Sequence, residues 1–150
     1  KNKLHLDQLD QIGFVYKNMD AALQQYEPLF GPFKLMDTGE HEYLYRGKKE
    51  KARLKLAFGR SGDVEIELIE WISGGTPHKE FIDAGKEGMQ HIRFIVPNLQ
   101  QKLEEASSLG WHPIWQTEFA PGLAVAYLEK EGEETLLEFF ENHGLTNFNG

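Results

Sequence analysis

The chain repeats itself, and that constrains its fold more than any other feature. Gln11-Ile12-Gly13-Phe14-Val15 is echoed 80 positions on by His91-Ile92-Arg93-Phe94-Ile95. Carried forward without a gap, the same offset pairs Asn18 with Asn98, Met19 with Leu99, Leu23 with Leu103 and Leu29 with Leu109. A second echo sets Ile66-Glu67-Leu68-Ile69-Glu70 against Leu137-Glu138-Phe139-Phe140-Glu141, at an offset of 71. The difference between the offsets places an insertion in the first copy, assigned to the charged stretch Gly47 to Arg53. A repeat of this kind means two related units sharing one core. We read module one over about 7–72, a linker and short helix over about 73–86, module two over about 87–141 and a C-terminal tail over 142–150. All of it fits one domain of 150 residues, long enough to bury a core without staples.

Each module has the same coarse layout. A first strand (about Leu9–Tyr16, about Gln90–Val96) runs into a helix opened by Asn18 or Asn98, both good N-caps. Met19, Ala22, Leu23, Tyr26, Leu29 and Phe30 recur at helical spacing before Gly31; Leu99, Leu103, Ala106 and Leu109 do so before Gly110. Three strands follow in each copy: about Lys34–Asp37, Leu54–Phe58 and Val64–Trp71, then Trp111–Gln116, Leu123–Glu129 and Thr135–Glu141. That is βαβββ twice, an α+β chain with pseudo-twofold symmetry. Neither half can bury a sheet face alone, so the two should pair into one curved, mixed sheet enclosing a cup.

Composition removes several classes of function. With no cysteine, disulfide frameworks, thiolate zinc sites, iron–sulfur clusters and cysteine nucleophiles are excluded. A net charge of −8, from 16 basic and 24 acidic residues, is a poor footprint for nucleic acid or an anionic membrane. No apolar run approaches the roughly 20 residues that span a bilayer and no signal-peptide pattern opens the chain, so a cytoplasmic protein is expected. The first residue is Lys1 rather than Met, which reads as a trimmed sequence.

Chemistry is suggested by polar residues where strand alternation wants apolar ones. Gln11 shares a strand face with Gly13 and Val15, and His91 shares one with Arg93 and Ile95. Glu138 shares a face with Leu136 and Phe140, and Glu67 holds the equivalent place in module one. Buried carboxylates must be paired or bound to metal. The repeat symmetry therefore predicts that Gln11, Glu67, His91 and Glu138 converge. Two carboxylates, an imidazole and an amide oxygen suit a divalent ion such as zinc, manganese, cobalt or nickel. The alternative is that Gln11 and His91 are satisfied core polars and the glutamates pair with Arg93 or Arg53.

These same residues resemble the vicinal oxygen chelate superfamily, which includes glyoxalase I, methylmalonyl-CoA epimerase, extradiol dioxygenases and the metal-free bleomycin-resistance proteins. The resemblance runs from about Leu9 to Asn142. It implies the glyoxalase-like fold and a metal held by one residue from each of the four strand positions, here Gln11, Glu67, His91 and Glu138. Zinc is the first choice and nickel, cobalt or manganese the others. The set is similar to that of zinc-using glyoxalase I. The run Phe81-Ile82-Asp83-Ala84-Gly85-Lys86-Glu87-Gly88-Met89-Gln90-His91-Ile92 looks more like the epimerases, with Gln90 in place of the first of two adjacent histidines. Ala120-Pro121-Gly122-Leu123 is a thinned form of the epimerase Gly-rich segment, and Lys130-Glu131-Gly132-Glu133-Glu134 replaces a glyoxalase I turn.

What this implies is a metal-dependent isomerase or lyase that moves a proton on the carbon beside a carbonyl. The metal would chelate two substrate oxygens and stabilise an enolate, with Glu138 as general base then acid. The expected partner is a small molecule, an acyl thioester first and a glutathione-type hemithioacetal second. An extradiol dioxygenase needs two histidines at the metal, and only one position here is histidine. From another class, a metal-free protein that sequesters a small ligand in the cup remains open. Homodimerisation is expected from the resemblance. Arg93 is either an anion clamp for a substrate carboxylate or the ion-pair partner of Glu65. The basic run Arg46 to Arg53 reads as a solvated hairpin rather than a phosphate-steering patch. His5, His41, His78, His112 and His143 have no symmetric counterparts and are expected at the surface or in turns. Tyr43, Tyr45, Trp71, Trp115 and Phe119 are candidates to line the pocket.

Overall fold

Each copy of the repeat builds its helix in the same way. In a computed structural model describing residues 3–143, helix α1 (Met19–Phe30) follows strand β1 (Gln11–Val15), and helix α3 (Leu99–Ser107) follows strand β6 (Gly88–Ile95). Asn18 accepts from the Ala21 amide and Asn98 from the Gln101 amide, both at 3.0 Å. A second orphan amide in each first turn is met from the last strand of the same copy: Glu70 Oε1 accepts from Met19 N at 2.8 Å, and Glu141 Oε1 from Leu99 N at 2.7 Å. So Glu70 and Glu141, paired by the second sequence echo, do the same job twice.

The remaining strands are β2 (Lys34–Asp37), β3 (His41–Tyr45), β4 (Lys48–Ser61) and β5 (Val64–Ser73) in the first copy, and β7 (His112–Ala120), β8 (Leu123–Glu129) and β9 (Leu136–Asn142) in the second. Helix α2 (Pro77–Asp83) joins the two. The architecture is the expected α+β sheet, with β1 and β6 antiparallel at its centre, β5 parallel to β1 and β9 parallel to β6. It closes further than a cup. The hydrogen-bonded order runs β2-β4-β3-β7-β8-β9-β6-β1-β5, and β5 pairs back onto β4, so eight strands form a barrel with β2 on its outside.

Closure comes from the insertion in the first copy. Its charged residues do not stay a loop: they extend β4 to 14 residues, one half pairing with β3 and the other with β5. The β3–β4 turn places Arg46 at φ 47° and Gly47 at φ 85°, the double positive φ of a tight hairpin. The extra strand β3, absent from the βαβββ expectation, then meets β7 through Leu44–Gln116 and Tyr45–Trp115. Sequence alternation missed β3 because His41-Glu42-Tyr43-Leu44-Tyr45 mixes polar and apolar side chains on both faces. The basic stretch itself is the solvated hairpin expected, and Arg46 at its tip bonds Glu80 at 2.7 Å and Glu129 at 2.9 Å.

The central strands are buried on both faces, which explains their apolar runs. On β5, Ile66 and Leu68 pack with Met19 and Ala22 of α1; on β9, Leu137 and Phe139 pack with Leu99, Leu103 and Ala106 of α3. The opposite faces turn into the barrel, where Val15, Tyr43, Leu54, Leu56, Ile69, Trp115 and Tyr127 make a separate cluster. Glu67 and Glu138 alternate with the helix-facing residues, so the pleat sends them inward. Among the described residues, no helix is long and apolar enough to cross a membrane.

Candidate metal centre

Register brings the inward polar residues to one place. Gly13 lies opposite His91 across β1–β6 and beside Glu67 across β1–β5, while Arg93 lies beside Glu138 across β6–β9. The missing side chain at Gly13 is what admits the imidazole: a Cβ there would sit 2.0 Å from His91 Cε1 and 2.3 Å from Nε2. His91 Nε2 then lies 3.1 Å from Glu138 Oε1, 3.2 Å from Gln11 Oε1 and 3.4 Å from Glu67 Oε1. All four side chains are buried, Gln11 and His91 completely. The structure therefore brings Gln11, Glu67, His91 and Glu138 together, from the first and last strands of both copies.

One nitrogen that carries at most one proton faces three oxygens, two of them carboxylate. Glu138 Oε1 is buried and has no aligned hydrogen-bond donor. Burial by itself would push the His91 imidazole down, but the Glu138 and Glu67 carboxylates more than reverse it and lift its pKa to about 9. The imidazolium so formed answers only part of the carboxylate charge. Donors that neighbour each other on one ion with bonds of about 2.0–2.2 Å stand roughly 3.0–3.6 Å apart, and the three distances from His91 Nε2 fall in that range. Among the described residues, no group of three or more His, Asp or Glu side chains is arranged to hold a metal ion as they stand. An ion bound there would take the place of the proton. With neutral His91, two carboxylates balance a 2+ charge, and the mixed N/O set fits a first-row divalent ion.

Around these four lies a supporting ring, of which the sequence singles out Arg93, Glu65 and Gln90 but not Asp10. A bulge in β6 next to Gly13 turns Gln90 inward beside His91, and Gln90 Oε1 lies 2.9 Å from His91 Nδ1. Gln11 Nε2 donates to Glu65 Oε1 at 2.8 Å. Arg93 is buried: its Nε donates to Asp10 Oδ2 at 2.8 Å, and Nη2 reaches Asp10 at 2.5 Å and Glu65 at 3.3 Å. Of the two roles weighed for Arg93, the ion pair with Glu65 is present, and Asp10 adds a second partner. Arg53, the other cation considered for the glutamates, instead pairs with Asp37 at 2.5 Å on the surface.

His78 corrects a sequence expectation. It is fully buried, not at the surface or in a turn, because α2 packs it edge-on against Trp115 and Tyr127 in the barrel interior. Its Nε2 lies 3.0 Å from the Tyr127 hydroxyl, and burial followed by the nearby His91 charge pushes its pKa well below the usual imidazole range. Nothing in the local sequence Thr76-Pro77-His78 marks it, since its partners come from strands of the other copy.

The centre forms one wall of a cavity of about 70 Å³. Glu67, Glu138, Arg93 and Tyr127 line its polar side; Leu54, Leu56, Phe58, Ile69, Phe119, Val125 and Phe140 line the rest with Tyr43 and Trp115, which stack at 4.2 Å. Of the five aromatic candidates, Tyr43, Trp115 and Phe119 reach the cavity. Tyr45 instead bonds Glu80, and the Trp71 indole donates to the Gly74 carbonyl at 2.7 Å.

A sequence profile of the Glyoxalase/Bleomycin resistance protein/Dioxygenase superfamily matches residues 10–127. The chain belongs to this superfamily. The matched span takes in Gln11, Glu67 and His91 and stops short of Glu138, which the barrel adds through β9. Over 142 residues the chain is 25% identical to the uncharacterized protein YqjC of Bacillus subtilis (strain 168), covering 93% of this chain and 95% of that one. The crystal structure of the hypothetical protein BH1468 from Bacillus halodurans C-125 is similar at 27% identity and a TM-score of 0.64, covering 93% and 97%. A variant of Streptomyces coelicolor methylmalonyl-CoA epimerase, in complex with 2-nitronate-propionyl-CoA, shares the fold at 17% identity and a TM-score of 0.63, covering 95% and 99%. Superfamily members generally bind divalent metals.

Proposed function

We propose that this chain is a metal-dependent isomerase or lyase of the superfamily that moves a proton on the carbon next to a carbonyl. The observation that carries the reading is the meeting of Gln11, Glu67 and Glu138 oxygens on the single nitrogen His91 Nε2, at the wall of a largely apolar cavity. These four residues would hold the ion, zinc first, then nickel, cobalt or manganese. A bound divalent ion supplies a Lewis acid for the carbonyl oxygens of the substrate.

The chain's own residues do the rest. The apolar and aromatic walls exclude water from the reacting carbon and accept its alkyl substituent. Glu138 borders the cavity and its Oε1, 3.1 Å from His91 Nε2, accepts no aligned hydrogen bond, which makes it the group placed to take a proton from that carbon and return it. Arg93 borders the same cavity, with Nε and Nη2 engaged by Asp10 and Glu65, and would present its remaining positive charge to a substrate carboxylate. At about 70 Å³ the cavity takes the reacting head of a substrate and leaves a long carrier outside.

An acyl thioester, epimerised at its 2-carbon, is the first choice: the epimerase whose fold this chain shares is in complex with an acyl-CoA analogue. Isomerisation of a hemithioacetal is the alternative. A cytoplasmic homodimer is the expected form, and sedimentation would test the dimer. The experiment for the activity is elemental analysis of the purified protein, then assays of acyl-CoA epimerisation and hemithioacetal isomerisation with and without chelator, on wild type and Glu138→Gln. Glu138→Gln keeps shape and an amide oxygen but loses the proton acceptor, so turnover should fall about 10²–10⁴-fold while metal content falls modestly. Absence of bound metal together with no chelator-sensitive turnover of either substrate refutes the enzyme and leaves a metal-free binding protein.

A further inference from the structure

A glutamine side chain is ambiguous at a cation site. Its carbonyl oxygen is a ligand, whereas its amide NH₂, presented to the same point, repels the ion. Something must choose the orientation of Gln11, and burial in the barrel leaves water no part in it. The choice lies in the residue two positions before Glu67 on the same strand. Glu65 is buried, its Oε1 lies 2.8 Å from Gln11 Nε2, and a carboxylate has only acceptors to offer. Glu65 thus takes the NH₂ end of Gln11, which leaves the oxygen end 3.2 Å from His91 Nε2.

Glu65 is itself fixed. Arg93 Nη2 reaches it at 3.3 Å, and the Arg93 fork is anchored from the other side by Asp10 at 2.5 and 2.8 Å. The strand register explains why these groups meet: Gln11 pairs with Glu65 on β5 and with Arg93 on β6. The guanidinium stands in the repeat position of Gly13, so the space that admits His91 in one copy is filled by the anchor of Glu65 in the other.

We propose that Glu65, held by Arg93 and Asp10, is a positioning residue that fixes the Gln11 amide with its oxygen toward the metal centre. This rests on the metal-binding function proposed above. A partner that orients a metal ligand in this way is typically worth about 10–100-fold in affinity.

The test is a mutant cycle on Mn²⁺ affinity, followed by the electron paramagnetic resonance of free Mn²⁺ and needing no substrate. Glu65→Leu in the full chain should weaken Mn²⁺ about 10–100-fold relative to wild type. In the Gln11→Ala background, where no amide remains to be turned, the same substitution should change affinity less than about threefold, because its whole effect passes through Gln11. Equal losses in both backgrounds would make Glu65 a general electrostatic or structural contributor and overturn the proposal, as would wild-type affinity in Glu65→Leu. Where Glu65→Leu does not fold, Glu65→Asp keeps the anion for Arg93 and withdraws the oxygen from Gln11 by one methylene; the same background-dependent loss is expected. A wild-type protein that binds neither Mn²⁺ nor Zn²⁺ refutes the metal-binding function and this inference with it. Wild-type binding with an additive cycle refutes the inference alone.

Discussion

Gly13→Ala adds one methyl group and should dismantle the centre. Gly13 has no positive φ, so alanine meets no backbone penalty, and the effect must come from space. The new Cβ would lie 2.0 Å from His91 Cε1, 2.3 Å from Nε2 and 2.6 Å from Nδ1, where ordinary contact begins at 3.4 Å. The imidazole must therefore withdraw by more than an ångström. It has little room: the Tyr127 ring lies 4.7 Å away between centroids, and Gln90 stands 2.9 Å from Nδ1. Any withdrawal carries Nε2 off the three oxygens now 3.1–3.4 Å from it, when metal bonds tolerate about ±0.2 Å. Overpacking of this kind costs about 1–3 kcal/mol, which for a chain of this length lowers Tm by roughly 3–12 °C. The expected protein is folded by circular dichroism, melts earlier and binds Mn²⁺ at least tenfold more weakly. A Gly13→Ala protein that melts with wild type and keeps its Mn²⁺ affinity would show that His91 does not occupy the space over residue 13, and the geometry of the centre would be wrong.

Without metal, stability should depend on pH through His91. Its folded pKa of about 9 lies above the ordinary 6.5, so the contribution is complete below 6.5 and is lost as pH rises through about 9. Melting curves of chelator-treated protein should fall across that window, and a flat profile counts against the carboxylate cage around the imidazole. Arg93→Met removes the cation between Asp10 and Glu65 and leaves two carboxylates uncompensated, which should cost about 3–5 kcal/mol in urea unfolding. A loss below about 1 kcal/mol with a raised KM for an acidic substrate would make Arg93 a clamp and not a buttress.

Much of the centre is legible in the amino-acid sequence. The echo of Gln11 in His91 and of Glu67 in Glu138, with the period-two pleat, names four inward polar residues and pairs them by symmetry. Such local signals carry over because alternation fixes the face of each residue whatever strand lies alongside. Alternation is silent on neighbours. That Arg93 lies across from Gln11 and next to Glu138, and so anchors Glu65, is a matter of register between strands far apart in the sequence. The same holds for His78, whose burial depends on Trp115 and Tyr127 from the other copy, and for Gly13, an unremarkable strand glycine until the His91 ring is seen over it. The repeat offsets show the insertion that closes the barrel, but not the strand pairing that it makes. Closure depends on β3 reaching β7 through two residue pairs, a contact whose worth comes from the packing of Tyr43 on Trp115 and not from any pattern in His41 to Tyr45. Repeats and pleats decide which side chains point inward; only the long-range pairing of strands decides what each of them meets there.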